Sequence, residues 1–234
     1  MPILEQFQHD NFRVLVMPKA IGETLINTRD RFNVSIRFIA IVMFRTATAL
    51  AALHRNNILH GDIKPANIVI ENSDSEDPVP KIIDFGHAVK LEDNESCHCH
   101  LMTCVYSSPE LLNNQPHSYP SDVFSYGLTF YYLVTQNNLL HLKEIAEMYQ
   151  EAMKIKPDYS DPLWSKYPDL KDLIQKTIEF DPKKRITAEE IMEHPFFEKV
   201  LGWDWINNER KSIYSKSNVF LDIEEKEFDD CLGV

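Results

Sequence analysis

The sequence predicts an α+β fold that is mainly helical, with its strands confined to the first 83 residues. Three observations predict it. Strand-like alternation is limited to short pieces near the N-terminus and between 68 and 83. Residues 34–55 carry apolar side chains at helical spacing with no Gly or Pro to interrupt them. From 121 onward, a largely apolar stretch and several shorter amphipathic ones continue the helical pattern. A chain of 234 residues with 44% hydrophobic content can build one domain with appendages.

The elements follow in order. ILEQF, residues 3–7, and FRVLVM, residues 12–17, read as two strands across the turn-forming HDN, with Phe12, Val14 and Val16 alternating against Arg13, Leu15 and Met17. PKAIGETL is a connector. In the 34–55 helix, Ile36, Ile39, Met43, Ala47, Leu50 and Leu53 share a face. Ile68-Val69-Ile70 and Lys81-Ile82-Ile83 are short strands, joined by ENSDSEDPVP, whose acids and two prolines predict an exposed loop.

Residues 91–107 read as irregular. Residues 121–135 predict a buried helix, and 141–155, 169–179 and 187–194 further helices. The last opens on a capping box, Thr187-Ala-Glu-Glu190, and is expected to stop at His194 because Pro195 cannot continue it. Trp203 and Trp205 are expected to dock on the body, and LDIEEKEFDD to be solvated or disordered.

The net charge of −12 and pI near 5.2 argue against nucleic acid and anionic membranes, which are bound through clustered Lys and Arg. MPILEQFQHDNF lacks the apolar stretch of a signal peptide. No apolar run suggests a membrane span of about 18 residues. The expectation is an intracellular protein, cytoplasmic or nuclear, whose four Cys are thiols.

The chemistry is concentrated in HGDIKPANIVI, residues 60–70, which places Asp62, Lys64 and Asn67 around a Pro. Asp84-Phe85-Gly86 follows the strand at 81–83. Phosphoryl transfer needs a carboxylate near the attacking hydroxyl, oxygen ligands for the metal on the nucleotide phosphates, and a cation for the moving charge. Asp62 suits the first role, Asn67 and Asp84 the second as hard oxygen donors for Mg²⁺, and Lys64 the third. Gly86 lets the backbone turn away after the metal ligand.

On these residues the chain resembles the eukaryotic-type protein kinase family, chiefly its larger, C-terminal lobe. HGDIKPAN resembles the catalytic loop HRDxKxxN, DFG stands intact at 84–86, and SPE at 108–110 resembles APE. Asp122 in SDVFSYG matches the Asp that braces the catalytic loop. Arg185 in DPKKR matches the Arg that pairs with the APE Glu, here Glu110. IMEHPFF resembles the end of the domain, and the motifs run in order over residues 1–200.

The resemblance implies transfer of the γ-phosphoryl of ATP, with Mg²⁺, to a protein. Lys64 and Thr103 resemble the Ser/Thr branch. His60 would stack on Phe85 as a packing residue. Leu25 and Val69 would floor the adenine site, and Met17 would be the gatekeeper. The implied organisation is a two-stranded small-lobe remnant with hinge at 1–25, a large lobe at 26–200, and a C-terminal extension at 201–234.

Departures from the pattern carry expectations too. Gly61 replaces the Arg that grips an activation-loop phosphate, which implies a loop not switched that way. Ser108 replaces Ala, and Met102 stands where a Gly usually precedes Thr103. No two of the six Gly form a GxGxxG loop, and the strand Lys and helix Glu of the small lobe have no counterpart. Each missing charge-stabilising group costs about 10²–10³ in rate, so the chain as it stands is expected to be a slow kinase.

A two-stranded hairpin with an open edge also invites cover. Either this is an incomplete version of a longer protein, which is the favoured expectation, or a second chain covers the edge. The rival to an enzyme is a catalytically inactive, kinase-like binding module. Finally, CHCHLMTC at 97–104 has thiolate and imidazole donors for Zn²⁺. The Cys-x-Cys spacing is tight for one tetrahedral site, and a flexible loop with exposed thiols is the favoured reading.

Overall fold

The computed structural model describes residues 4–9, 12–31, 35–73, 75–92, 96–97, 104–141 and 145–220. Strands β1 (Glu5–His9) and β2 (Phe12–Val16) form an antiparallel pair with Phe7 opposite Val14. Among the described residues they form a sheet of their own. Leu4, Phe7, Met17 and Ile21 are exposed around it.

The body begins with β3 (Glu23–Thr24) and the short helix α1 (Leu25–Arg31), followed by α2 (Ile36–Arg55). Ser35 starts α2 by accepting a hydrogen bond from the Phe38 amide at 3.1 Å, which satisfies one of the donors that a helix start leaves open. The sequence reading passed over how apolar this helix is. An 18-residue window within it has a mean hydropathy of 1.7, enough by length and composition to cross a membrane. Its run Ile39–Phe44 is buried throughout, and α2 packs against later helices, as expected of the central helix of a packed lobe.

Next come β4 (Ile58–Leu59), a 3-10 turn at Pro65–Asn67, β5 (Ile68–Glu71), β6 (Val79–Ile82) and β7 (Val89–Lys90). One sheet runs β3-β5-β6, all antiparallel, and β4 pairs with β7. β6 starts two residues earlier than expected, because Pro80 sits on an edge strand where a missing amide is tolerated. Ile83 leaves the ladder, and its amide bonds the Asn67 carbonyl at 2.9 Å.

The helical half contains α3 (Pro109–Leu112), α4 (Tyr119–Thr135), α5 (Ile145–Ala152), α6 (Pro162–Lys166) and α7 (Pro168–Thr177). It closes with α8 (Ala188–Met192), α9 (Pro195–Leu201) and α10 (Trp203–Phe220). Gly127 lets α4 approach the end of α7: a Cβ there would lie 2.4 Å from Thr177 Oγ1. The core joins Phe44 of α2, Tyr126 and Phe130 of α4, Ile174 of α7, and Phe196 and Phe197 of α9.

Three expectations change here. The capping box at Thr187 and Glu190 is present, but α8 ends at Met192. His194 instead caps the next helix, accepting from the Phe196 amide, with Pro195 in the first turn where its missing donor costs nothing. Second, α10 extends well past the last predicted element. Third, only one of the two tryptophans docks. Trp205 meets the Phe44 ring edge-on at 5.6 Å, and Arg45 lies over it at 5.5 Å, whereas Trp203 is 55% exposed. Arg45 binds Glu209 of α10 through two 2.8 Å bonds and the Pro78 carbonyl at 2.9 Å, so α10 is held by a charged fork as well as a ring. LDIEEKEFDD lies outside the described residues.

Candidate active site

The segment between β4 and β5 is held from beneath by a buried carboxylate on α4. Asp122 Oδ2 accepts the His60 amide at 2.9 Å, and Oδ1 accepts the Gly61 amide at 2.9 Å. His54 at the end of α2 donates through Nε2 to Oδ2 at 3.0 Å. Its ring lies 4.8 Å from that of Tyr119, at the start of α4. Sequence reasoning missed His54, since it sits in no motif and only the approach of α2 to α4 gives it a role.

Burial alone would push the Asp122 carboxyl up. The hydrogen bond and charge of His54, with His60, outweigh that and hold it below the usual carboxylate range.

Gly61 has φ +79°, and a Cβ there would meet the His87 carbonyl at 2.8 Å. A glycine suits this place on both counts: the left-handed backbone and the close approach. It is the position where the family pattern has Arg.

His60 is buried, and its partners fix its tautomer. Nε2 faces the Ile83 carbonyl at 3.2 Å, which can only accept, while Nδ1 accepts the Asp62 amide at 3.3 Å. Burial lowers its pKa. The Phe85 ring packs edge-on at 5.0 Å.

On this frame sit the predicted chemical groups. The Asp62 side chain is buried, and its Oδ2 accepts Lys64 Nζ at 2.5 Å and Asn67 Nδ2 at 2.9 Å. The second Asn67 N–H goes to the Asp62 carbonyl at 2.9 Å. Both amide hydrogens are therefore committed, and the carboxamide oxygen has no partner among the described residues. The Ile83–Asn67 bond sets Asp84 beside this loop. Asp84 has φ +65°, and its Oδ1 accepts the Gly86 amide at 3.3 Å. Asn67 and Asp84 each offer side-chain oxygen, the donor type that suits a hard cation such as Mg²⁺.

Not every predicted residue joins them. Leu25 and Val69 are both buried, and Val69 pairs with Thr24, the residue before Leu25. Met17 follows β2 and is 49% exposed. An open depression of about 580 Å³, lined by Leu139, Glu147, Glu151 and Lys154 among others, contains none of the motif residues. The site is defined by its chemistry and not by that depression. Met102 and Thr103 lie outside the described residues.

Further along, Glu110 on α3 and Arg185 form a buried pair at 2.7 and 3.1 Å, with Ser121 Oγ donating to Glu110 at 2.8 Å. Burial works against the Glu110 charge, but Arg185 more than offsets it and lowers the pKa.

These shifts predict a pH profile. The unfolded chain binds a proton at His60 near the ordinary value of about 6.5, and the folded chain resists it. Stability should therefore fall as pH drops through that value. Glu110 and Asp122 contribute stability above the ordinary carboxylate range of about 4, and it is lost as pH falls further through their lowered values. Thermal melts from pH 8 to 3 should show a shallow decline followed by a steep one. A melting temperature that is flat between pH 7 and 5 would mean that His60 is not held neutral.

A model of the protein kinase domain matches residues 2–197. The chain belongs to the protein kinase family. Calcium/calmodulin-dependent protein kinase type II of Caenorhabditis elegans is 32% identical over 149 residues, covering 63% of this chain and 21% of its own length. Calcium-dependent protein kinase 4 of Plasmodium falciparum is 28% identical over 227 residues, 95% of this chain and 40% of that protein. The bovine phosphorylase b kinase gamma catalytic chain, liver/testis isoform, is 28% identical over 209 residues, 86% and 50%. This kinase chain thus spans half or less of the length of these three relatives. The matched kinase domain agrees with the mainly helical α+β fold.

Proposed function

We propose that this chain transfers the γ-phosphoryl group of ATP to a Ser or Thr hydroxyl of a protein substrate. The observation that carries the reading is the Asp62 carboxylate, buried and held by Lys64 and Asn67 at 2.5 and 2.9 Å. Asp62 orients the acceptor hydroxyl and takes its proton as the oxygen attacks phosphorus. Lys64, anchored on Asp62, sets its ammonium group beside the phosphoryl in transit. Asn67 through its carboxamide oxygen and Asp84 through its carboxylate would hold Mg²⁺. When bound, the ion neutralises charge on the nucleotide phosphates. Leu25 and Val69 supply apolar surface for the adenine, with Met17 at its edge.

The residues at 26–200 form the lobe that carries this chemistry. The exposed Leu4, Phe7, Met17 and Ile21 support the reading that a further polypeptide covers the β1–β2 sheet.

The test is phosphotransfer from γ-labelled ATP to a mixed Ser/Thr peptide library, wild type against Asp62→Asn. The variant is expected to lose about 10²–10⁴ in rate, with its fold kept. Because both proteins share one chain, a slow baseline affects them equally. Equal transfer by the two would reject the enzyme and leave the kinase-like binding module.

A further inference from the structure

The CHCHLMTC stretch lies mostly outside the described residues, but Cys97 does not, and it has a partner that the sequence never suggested. Cys97 and His117 exchange both backbone hydrogen bonds, at 3.0 and 3.1 Å, in an isolated antiparallel bridge. Cys97 Sγ then lies 3.4 Å from His117 Nε2. His117 is buried, and its other ring nitrogen is 3.3 Å from the Gln115 carbonyl. A carbonyl can only accept, so Nδ1 carries the hydrogen and Nε2 turns its lone pair to the sulfur. Cys97 itself is half-buried.

A nucleophile, a base within reach of its proton, and a third group that orients the base make up the arrangement of an activated side chain.

We infer that Cys97 is an activated thiol, with His117 as its base, and a site of covalent modification by peroxides. The proton passes from Sγ to His117 Nε2. The thiolate sulfur attacks one peroxide oxygen, an S–O bond forms and the O–O bond breaks. The departing hydroxide takes the proton back from His117 and leaves as water. Sulfur is oxidised by two electrons to the sulfenic acid and the peroxide is reduced. None of this uses Asp62 or its neighbours, so the inference stands or falls apart from the phosphotransfer reading.

The experiment uses the whole chain at pH 6.5, where an ordinary Cys is mostly protonated. Iodoacetamide is added with an unstructured cysteine peptide in the same tube, and labelling is followed site by site by mass spectrometry. Cys97 is expected to react about fivefold faster than the peptide or more, allowing for the lower intrinsic nucleophilicity of an acidic thiol. His117→Gln should bring it down to the peptide rate, with circular dichroism unchanged. Hydrogen peroxide followed by dimedone should mark Cys97 in the wild type.

A Cys97 no faster than the peptide overturns the inference, as does a folded His117→Gln chain that labels at the wild-type rate. Should that variant fail to fold, the wild-type comparison with the peptide decides alone.

Discussion

Arg185→Ala should destabilise the fold by about 3–5 kcal/mol, the cost of leaving a buried charge without its partner. The geometry explains why so much rests on one side chain. Guanidinium has five N–H donors, and here each has an acceptor. Nε reaches the Glu179 carbonyl at 2.8 Å. NH1 binds Glu110 and the Pro120 carbonyl, both at 2.7 Å. NH2 binds Glu110 at 3.1 Å and the Phe180 carbonyl at 3.2 Å. The group also lies 4.8 Å over the Phe124 ring.

Arg185 therefore ties α3, the start of α4 and the turn after α7 into one corner, with its side chain fully buried. Ala would leave the buried Glu110 carboxylate without its cation and remove one donor from each of three carbonyls. Arg185→Lys should recover little, because an ammonium cannot reproduce the planar fork. The double change Glu110→Gln with Arg185→Met should be milder than Arg185→Ala, since it removes the orphaned charge. Urea unfolding would measure all three. A loss below about 1 kcal/mol for Arg185→Ala would put this pair in the class of solvated surface bridges.

How much of this was legible beforehand depends on sequence separation. Asp62, Lys64 and Asn67 sit within six residues, and their side chains meet because a single loop turns through Pro65. The spacing pointed to Asp62 and Lys64, and the motif to Asn67. Glu110 and Arg185 are 75 apart, and only the resemblance to a family paired them. His54 and Cys97 were beyond either route. The His54 bond to Asp122 exists because α2 and α4 cross, and a lone His at a helix end carries no such mark. Likewise Cys97 meets His117 through a bridge across 20 residues.

The fold followed the same rule. Helix α2 announced itself through continuous apolar spacing. The polar surface of α10 concealed it, and its hold on the body comes from Arg45 and Trp205, a contact made across more than 150 residues. Short helices such as α1 and α9 have too few turns to show a period. The split between α8 and α9 rests on one cap, His194, whose ring acts only after Pro195 has stopped the helix before it.

Asp122→Asn should separate the frame of the catalytic loop from its chemistry. The substitution keeps shape and volume but replaces one acceptor oxygen with an NH₂ group. Oδ1 and Oδ2 together accept the amides of His60 and Gly61 and the His54 ring. Asn can satisfy one side of that set while its own donors face the other. The expected cost is about 3 kcal/mol, from buried donors left unmatched. The readout that distinguishes this from general weakening is local: amide exchange at His60 and Gly61 should accelerate well beyond that of α2 and α4.

Asp62→Asn should leave those two amides protected while transfer is lost. If instead Asp122→Asn leaves exchange at His60 and Gly61 slow, the loop is held by its own hydrogen bonds, from His60 to Ile83 and from Asn67 to Asp62. The carboxylate on α4 would then be a buried charge with no hold on the site above it.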